Sequence, residues 1–418
     1  MRRPASRGMN ALLVVNAGSS SLKFCVYSLD DGPQPTLVCR GQLDGIGKRP
    51  RLYARDGAAV TLTDQAFDPG EVPEVGAAMD RVGAWLRQKY VRTNLVAVGH
   101  RVAHGGPQYA APVIVDDTVL GVLERFIPLA PLHQPHHLRP MQTLAERYSG
   151  LVQVACFDTA FHRGHAEVAD RYALPDDLYK EGVRRYGFHG LSYEYIARRL
   201  GTVAPAIAHG SVVVCHLGSG SSMCAIKNGR SVDSTMGFTA LDGLPMGTRC
   251  GQLDPGVVLY LLMQKGYSPK DVEQLLYQQA GLRGLSGMSN DVRDLLESDD
   301  PRARLALDYL VYRVAREIGS LAMAMNGIDA VVFTAGIGEN SPDIRARICA
   351  RASWLGLAVD DIANRGGGPR ITVPGAGVSA WVIPTDEEEM IAEHTLEAWR
   401  AHEGRSSHAH TGVPEPAA

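Results

Sequence analysis

The sequence predicts an α/β protein built from two like halves, and three observations carry that expectation. Short apolar runs alternate with helix-period stripes along the chain, the pattern of sheets joined by crossover helices. The length, 418 residues, suits two or three domains at roughly 150 residues each. Finally, Val14-Val15-Asn16-Ala17-Gly18-Ser19-Ser20-Ser21 lines up with Val214-Cys215-His216-Leu217-Gly218-Ser219-Gly220-Ser221, 200 residues later. Each stretch starts as an apolar strand, enters a Gly/Ser turn and leaves as a second strand. A duplicated domain with a ligand between its halves is one reading. Chance likeness between two common hairpins is the other.

The elements follow in order. Ala11–Val15 reads as a buried strand and Phe24–Tyr27 as its hairpin partner, with Met223–Ile226 the equivalent in the second half. Met79, Val82 and Leu86 share one helical face over residues 75–90. Leu95–Val102 and Leu151–Phe157 read as buried strands. Asp254-Pro255, Ser268-Pro269 and Ser341-Pro342 each offer an N-cap with proline at the first helical position. Residues 303–325 carry Leu307, Leu310, Val311, Val314, Ile318, Leu321 and Met325 on one stripe, so a long core helix is expected. Asp329–Thr334 reads as a strand. Thr385-x-x-Glu388 is a capping box for a last helix ending near Trp399. Residues 1–9 and the polar stretch 403–418 are expected to be unstructured extensions, with Met9 an alternative start.

Composition excludes several classes. Hydrophobic residues make up 45% and charged residues 21%, so wholesale disorder is excluded. The net charge of −3 lacks the basic excess of a nucleic-acid binder. No apolar run reaches the roughly 18 residues of a membrane span, and no signal-peptide pattern opens the chain. The seven cysteines form no C-x-x-C, which reads as reduced thiols in a cytoplasmic protein.

Several motifs could carry chemistry. A Gly/Ser hairpin suits phosphate because glycine lets the backbone approach and consecutive N–H groups form an anion nest. Lys23, just past the first turn, could add a point charge. Neither hairpin matches G-x-x-x-x-G-K-[ST], and an ordinary tight turn is the alternative for each. Ala335-Gly336-Ile337-Gly338-Glu339-Asn340 lacks the third glycine of a dinucleotide fingerprint and reads better as a glycine turn beside a base or ribose. Arg101, in Gly99-His100-Arg101-Val102-Ala103-His104-Gly105-Gly106, and Arg249, in Met246-Gly247-Thr248-Arg249-Cys250-Gly251, stand where a planar, permanently charged fork can clamp an anion. Bonding to loop carbonyls is the structural alternative. His133-Gln134-Pro135-His136-His137 lacks further ligands at zinc spacing. His189 sits between glycines at a helix start, and Asp158 at a strand end.

Together these motifs resemble the acetate/propionate/butyrate kinase family. VVNAGSSSLKF, GHRVAHGG, LAPLHQP, CFDTAFH, RYGFHG, CHLGSGSS, STMGFTALDGLPMGTRCG, NDVRDL, VVFTAGIGEN and IPTDEE occur in family order over nearly the whole chain. The resemblance implies two duplicated actin-like (ribonuclease H-like) domains around a nucleotide cleft. Residues 10–157 would form the first domain, with the helix 385–400 packed back on it, and residues 158–384 the nucleotide-binding second.

It also implies magnesium-dependent transfer of the ATP γ-phosphoryl group to a short carboxylate, with manganese as a substitute metal, in a cytoplasmic homodimer. Asn16 and Glu387 would serve the metal. Lys23, His216, Leu217, Gly218, Ser219 and Gly220 would contact nucleotide phosphates. Asp291, Val292, Arg293, Gly336, Ile337, Gly338, Glu339 and Asn340 would line the adenosine pocket. Arg101 would bind the carboxylate, with Ala103, Leu132, His133, Phe188 and Ala240 around its methyl group. Asp158, His189 and Arg249 would be catalytic. Where the family has His-Leu-Gly-Asn-Gly this chain has Ser219, and Ala103 and Ala240 replace a larger valine and proline, so a roomier pocket is expected. Acetate is the expected substrate, with propionate or a broad short-chain range as the alternative. A sugar kinase or a non-catalytic actin-like ATPase on the same fold explains the two glycine-flanked arginines less well. A carboxylate is already ionised at pH 7, so Asp158 is expected to orient groups rather than move a proton.

Overall fold

The computed structural model describes residues 8–18, 20–131 and 133–410. The chain forms two compact units. The first runs up to Ala160 and takes back the chain from Glu387; the second is Phe161–Asp386.

The first unit holds an eight-stranded sheet. Its strands are β1 (Met9–Ala17), β2 (Ser21–Ser28), β3 (Thr36–Asp44), β4 (Arg51–Asp56), β5 (Thr61–Ala66), β6 (Thr93–Val102), β7 (Val113–Ile114) and β8 (Val152–Phe157), in spatial order β5-β4-β3-β2-β1-β6-β8-β7. The second unit holds β9 (Ser211–Leu217), β10 (Ser221–Lys227), β11 (Arg230–Ser234), β12 (Ala330–Thr334) and β13 (Ser379–Val382), in order β11-β10-β9-β12-β13. The two sheets share one plan. β1 pairs antiparallel with β2 and parallel with β6, which pairs parallel with β8. β9 pairs antiparallel with β10 and parallel with β12, which pairs parallel with β13. The aligned hairpins therefore occupy equivalent places, and duplication, not chance, accounts for the repeat.

The central strands are continuous apolar runs because both their faces are covered. In β9, Val213, Cys215 and Leu217 face one core, with the helix Pro301–Ala324; Val212 and Val214 face another, with Tyr193, Ile196 and Leu200 of the helix Gly190–Val203. The long helix buries Leu307, Leu310, Val311, Val314, Ile318 and Leu321, each contributing about 1.5–3 kcal/mol.

The helix Glu387–His410 packs on β1, β6 and β8. Gly99 permits this approach: a Cβ there would collide with the side chains of Thr395 and Ile391. That contact fixes where the start of this helix, Glu387 and Glu388, stands over the first sheet.

Asp254 and Ser268 cap their helices as expected, by accepting from Gly256 N–H and Asp271 N–H. Four local expectations differ. Ser341 makes no side-chain cap bond. Ala335–Asn340 is a one-and-a-half-turn helix, not a glycine turn, entered through Ala335 at φ 63°. The Glu339 carboxylate accepts the Ala335 N–H at 2.8 Å and the Thr385 N–H at 3.2 Å, which secures this strained start. The Thr385 hydroxyl meets Ser192 Oγ at 2.8 Å. The last helix continues past Trp399 to His410. Of the expected extensions, residues 1–7 and 411–418 lie outside the described residues, and Met9 already pairs in β1.

One helix of the second unit, Pro255–Met263, buries none of its residues. Leu259 is 55% exposed and Met263 73%. No helix among the described residues is long and apolar enough to cross a membrane. None of the seven cysteines forms a disulfide, and all but Cys250 are buried.

Candidate active site

The first unit gathers an ion cluster at the ends of its central strands. Arg101, on β6, receives Asp158 from the turn after β8. Its Nε lies 3.0 and 3.1 Å from the two carboxylate oxygens and its Nη2 lies 2.9 Å from Oδ2. On its other edge, Nη1 meets Glu387 Oε2 at 3.0 Å. Burial acts to lower the pKa of this guanidinium, but the charges of Asp158 and Glu387 outweigh it and hold Arg101 above its ordinary value. Burial pushes the Asp158 carboxyl up, while the Arg101 charge and hydrogen bonds pull it back.

Asn16, at the end of β1, donates from Nδ2 to Glu388 Oε1 at 3.1 Å. The sequence places Asn16 and Glu387 together at a metal site; in the structure Glu387 meets Arg101, and Glu388, not among the sequence candidates, meets Asn16. The second glutamate was missed because three consecutive glutamates at a helix start look alike without their register.

Ala103 is buried, and its N–H donates to His137 Nδ1 at 2.9 Å. Burial, aided by the Arg101 charge, pushes His137 well below its ordinary value, so it serves as a neutral acceptor. His133 opens the helix Gln134–Arg147. Leu132 lies outside the described residues. Lys23 is an exposed residue of β2 and lines a cavity of about 260 Å³ with Arg40, Arg55 and Glu388.

The second unit gathers the remaining residues around the β9–β10 turn. Gly218 N–H donates to Ser221 Oγ at 3.2 Å, and that hydroxyl donates to Gly218 O at 3.0 Å, which tightens the turn. His189 occupies the N-cap position of the helix Gly190–Val203 in a left-handed conformation, φ 56°, without a side-chain cap bond. Its Nδ1 lies 2.8 Å from Ser222 Oγ, and its ring stacks on His216 with centroids 4.2 Å apart. His216 Nδ1 in turn meets Ser192 Oγ at 2.9 Å. These serines orient the imidazoles; Ser222 ends the motif CHLGSGSS, whereas Ser192 lies outside the quoted motifs.

Arg249 is half-buried and donates from Nη1 to Ala240 O at 2.6 Å; it has no carboxylate partner among the described residues. Burial therefore lowers its pKa. A Cβ on Gly220 would stand 2.8 Å from Arg249 Nη2 and 3.5 Å from His189 Nε2. One cation and one imidazole thus converge on a backbone that glycine keeps bare.

Beside this turn a cavity of about 560 Å³ opens, lined by Gly218, Ser219, Asp291, Val292, Arg293, Gly336, Ile337 and Asn340. Asn290, Leu296, Ser341, Pro342 and Asp343 complete it without having been anticipated. A Cβ at Gly336 would meet nothing within 4 Å, so the helix presents an open face. Gly338 packs inward on Phe333 and Cys215 instead. Asp291 caps the helix Val292–Leu296 and forks with Arg293, Nη2 to Oδ2 at 2.6 Å. Glu339 does not line the cavity, since its carboxylate is spent on Ala335 and Thr385. His216, Leu217 and Gly220 do not line the cavity. Phe188 is buried and Ala240 half-buried.

A model of the acetokinase family matches residues 11–393. The chain belongs to that family. It is 57% identical over 388 residues to an acetate kinase of Nitrobacter hamburgensis, covering 93% of this chain and 96% of the relative. It is 55% identical to an acetate kinase of Rhizobium meliloti, covering 93% and 98%. Among solved structures, a propionate kinase from Francisella tularensis superposes with a TM-score of 0.86 at 33% identity, over 93% of this chain and all of that one. The acetate kinase of Porphyromonas gingivalis gives 0.81 at 34%, over 93% and 99%. The shared-plan sheets are therefore the two actin-like domains of an acetokinase-family kinase.

The glycine at position 220 generates a test. Gly220→Ala should push the Arg249 guanidinium aside without straining the backbone. Acetate-dependent ADP formation should fall on the order of 10²-fold, the usual cost of an ångström-scale misplacement. The thermal unfolding midpoint should hold. Wild-type turnover in this variant would mean that Gly220 does not set the position of Arg249.

Proposed function

We propose that this chain catalyses reversible transfer of the ATP γ-phosphoryl group to acetate, giving acetyl phosphate and ADP, by direct in-line displacement. The observation that carries this reading is Arg249. A half-buried guanidinium without a carboxylate partner is costly unless an anion arrives to meet it. It stands, with His189, at the glycine turn that borders the large cavity.

Nucleophile and phosphoryl donor are both anionic, so the site must supply positive charge in advance. In this reading the adenosine occupies the cavity lined by Gly336, Ile337 and Val292, and the phosphates lie along the Gly218–Gly220 turn. Arg249 and His189 Nε2 meet the equatorial oxygens in flight. The substrate carboxylate takes the Nη1 edge of Arg101 that Glu387 now holds, while Asp158 keeps the other edge fixed. A carboxylate oxygen forms its bond to the γ-phosphorus as the bridging oxygen leaves with ADP. No proton needs to move, so Asp158 is a positioning residue. Lys23 and Arg40 offer further charge toward phosphate.

Magnesium fits the donors present. Asn16, Asp158, Glu387 and Glu388 offer only hard oxygen atoms, and this ion characteristically takes one or two carboxylates together with substrate phosphates. Among the described residues no cluster of three or more His, Cys, Asp or Glu could hold a metal by itself. Asn16, Glu387 and Glu388 would hold it, Glu387 through water. When bound, it neutralises charge on the β- and γ-phosphates. Manganese, with similar preferences, is the expected substitute.

Propionate is the second reading, favoured by Ala103 and Ala240, which are smaller than the family's valine and proline at those positions. We also propose a cytoplasmic homodimer. Seven cysteines without a disulfide suit a reducing compartment. The unburied apolar helix Pro255–Met263 suits a second copy of itself.

A hydroxamate assay with ATP, magnesium, hydroxylamine and formate, acetate, propionate or butyrate tests the reaction. Acetate should give the highest kcat/KM, and Arg101→Ala and Arg249→Ala should each lose on the order of 10³ in rate while staying folded. No hydroxamate from any of the four acids would end the proposal. For Asp158→Asn, activity should drop while the pH–rate profile keeps its shape; disappearance of one limb would make Asp158 a proton-transfer group. Sedimentation should show a dimer that becomes monomeric in Leu259→Asp/Met263→Asp, and a wild type monomeric at micromolar concentration would refute the dimer.

A further inference from the structure

The first unit contains a second cavity that the proposed reaction does not use. It measures about 330 Å³ and opens between the sheet and two helices, Val75–Lys89 and Gln134–Arg147. Its walls are Leu13, Val15, Leu22 and Phe24 from the sheet, with Val82 and Leu144 from the helices. These belong to one apolar core, so the cavity is a gap in packed hydrocarbon. The volume sits at the low end of small-molecule pockets, roughly 300–1,000 Å³.

The mouth is polar and framed by residues four apart on each helix, which therefore share a face. Gly83 and Arg87 stand on one helix, and Thr143 and Arg147 on the other. Arg147 is paired with Asp80. Arg87 donates only to the Tyr148 hydroxyl, at 3.2 Å, and has no carboxylate partner among the described residues. Thr143 is only 8% exposed, yet its hydroxyl makes no hydrogen bond to any described residue. The hydroxyl oxygen is not sealed from solvent, so it is open to a ligand at the mouth. An apolar interior with one unclaimed cation and one unclaimed hydroxyl at its mouth matches an amphiphile with a single small anionic head.

We propose that this cavity binds a medium-chain monocarboxylate, its tail among Leu13, Leu22 and Val82 and its carboxylate at Arg87 and Thr143. The helix that carries Thr143 also holds the Ala103 segment: His137 accepts from Ala103 N–H and Gln134 from His104 N–H, at 2.9 and 3.1 Å. The occupant thus rests against the element that supports one wall of the candidate substrate site.

The test is calorimetric titration of the full chain with hexanoate, octanoate and decanoate, with and without saturating acetate. Each added methylene should tighten binding about fourfold until the cavity is filled, and acetate should not compete. Gly83→Leu should abolish binding. Its Cβ would meet only the tip of Arg87, at 3.3 Å, and leucine is the better helix former, so the fold is preserved. Arg87→Gln, at an exposed position, should weaken binding roughly two- to fivefold. Neither residue belongs to the candidate active site, so hydroxamate formation should persist in both. Absence of saturable binding, affinity independent of chain length, displacement by acetate, or binding retained in Gly83→Leu would each overturn the proposal.

Discussion

The ion cluster of the first unit is organised around one cation, Arg101, whose side chain is only 19% exposed. Arg101 leaves β6 with its guanidinium in a site where an unpaired charge would cost several kcal/mol. Asp158 and Glu387 meet that cost from two directions, one from the neighbouring strand and one from the far end of the chain. The parallel pairing of β6 with β8 sets the first partner, and the bare backbone at Gly99 lets the last helix bring the second. The same helix start delivers Glu388 to Asn16.

The second unit solves the opposite problem. Arg249 is left with a carbonyl where an anion could stand, and His189 takes a left-handed backbone at the N-cap position of its helix. Two layers of hydroxyls, Ser222 behind His189 and Ser192 behind His216, lock the stacked imidazoles so that they need not reorganise when charge develops. The two units share a strand plan but use it differently: one neutralises its cation internally, the other keeps it available.

Much of this was legible in the sequence where the signal is local. The two hairpins, the caps at Asp254 and Ser268 and the stripe of the long helix each follow from residues within a few positions of one another. The residues around the large cavity also came from short motifs, because a glycine that opens a surface is visible as a glycine. What escaped notice was set by distant partners. The division of labour between Glu387 and Glu388 depends on the rotation of a helix about its axis, which three adjacent glutamates do not reveal. Glu339 looked like a cavity residue but closes the strained entry to its own helix, a need that arises only once Ala335 adopts a positive φ. Ser192 and Ser222 acquire their orienting roles only once the fold stacks two histidines beside them.

The return of the last helix also has a consequence in time. The first unit cannot close its ion cluster until Glu387 exists, and 226 residues of the second unit, Phe161–Asp386, are made in between. At roughly 5–20 residues per second that interval is on the order of ten to forty seconds. Throughout it the emerging first sheet lacks the cover that β1, β6 and β8 later receive, and Arg101 has only Asp158 beside it. The half of the molecule that is translated first is therefore the half that is finished last, and the ribosome delivers its closing piece.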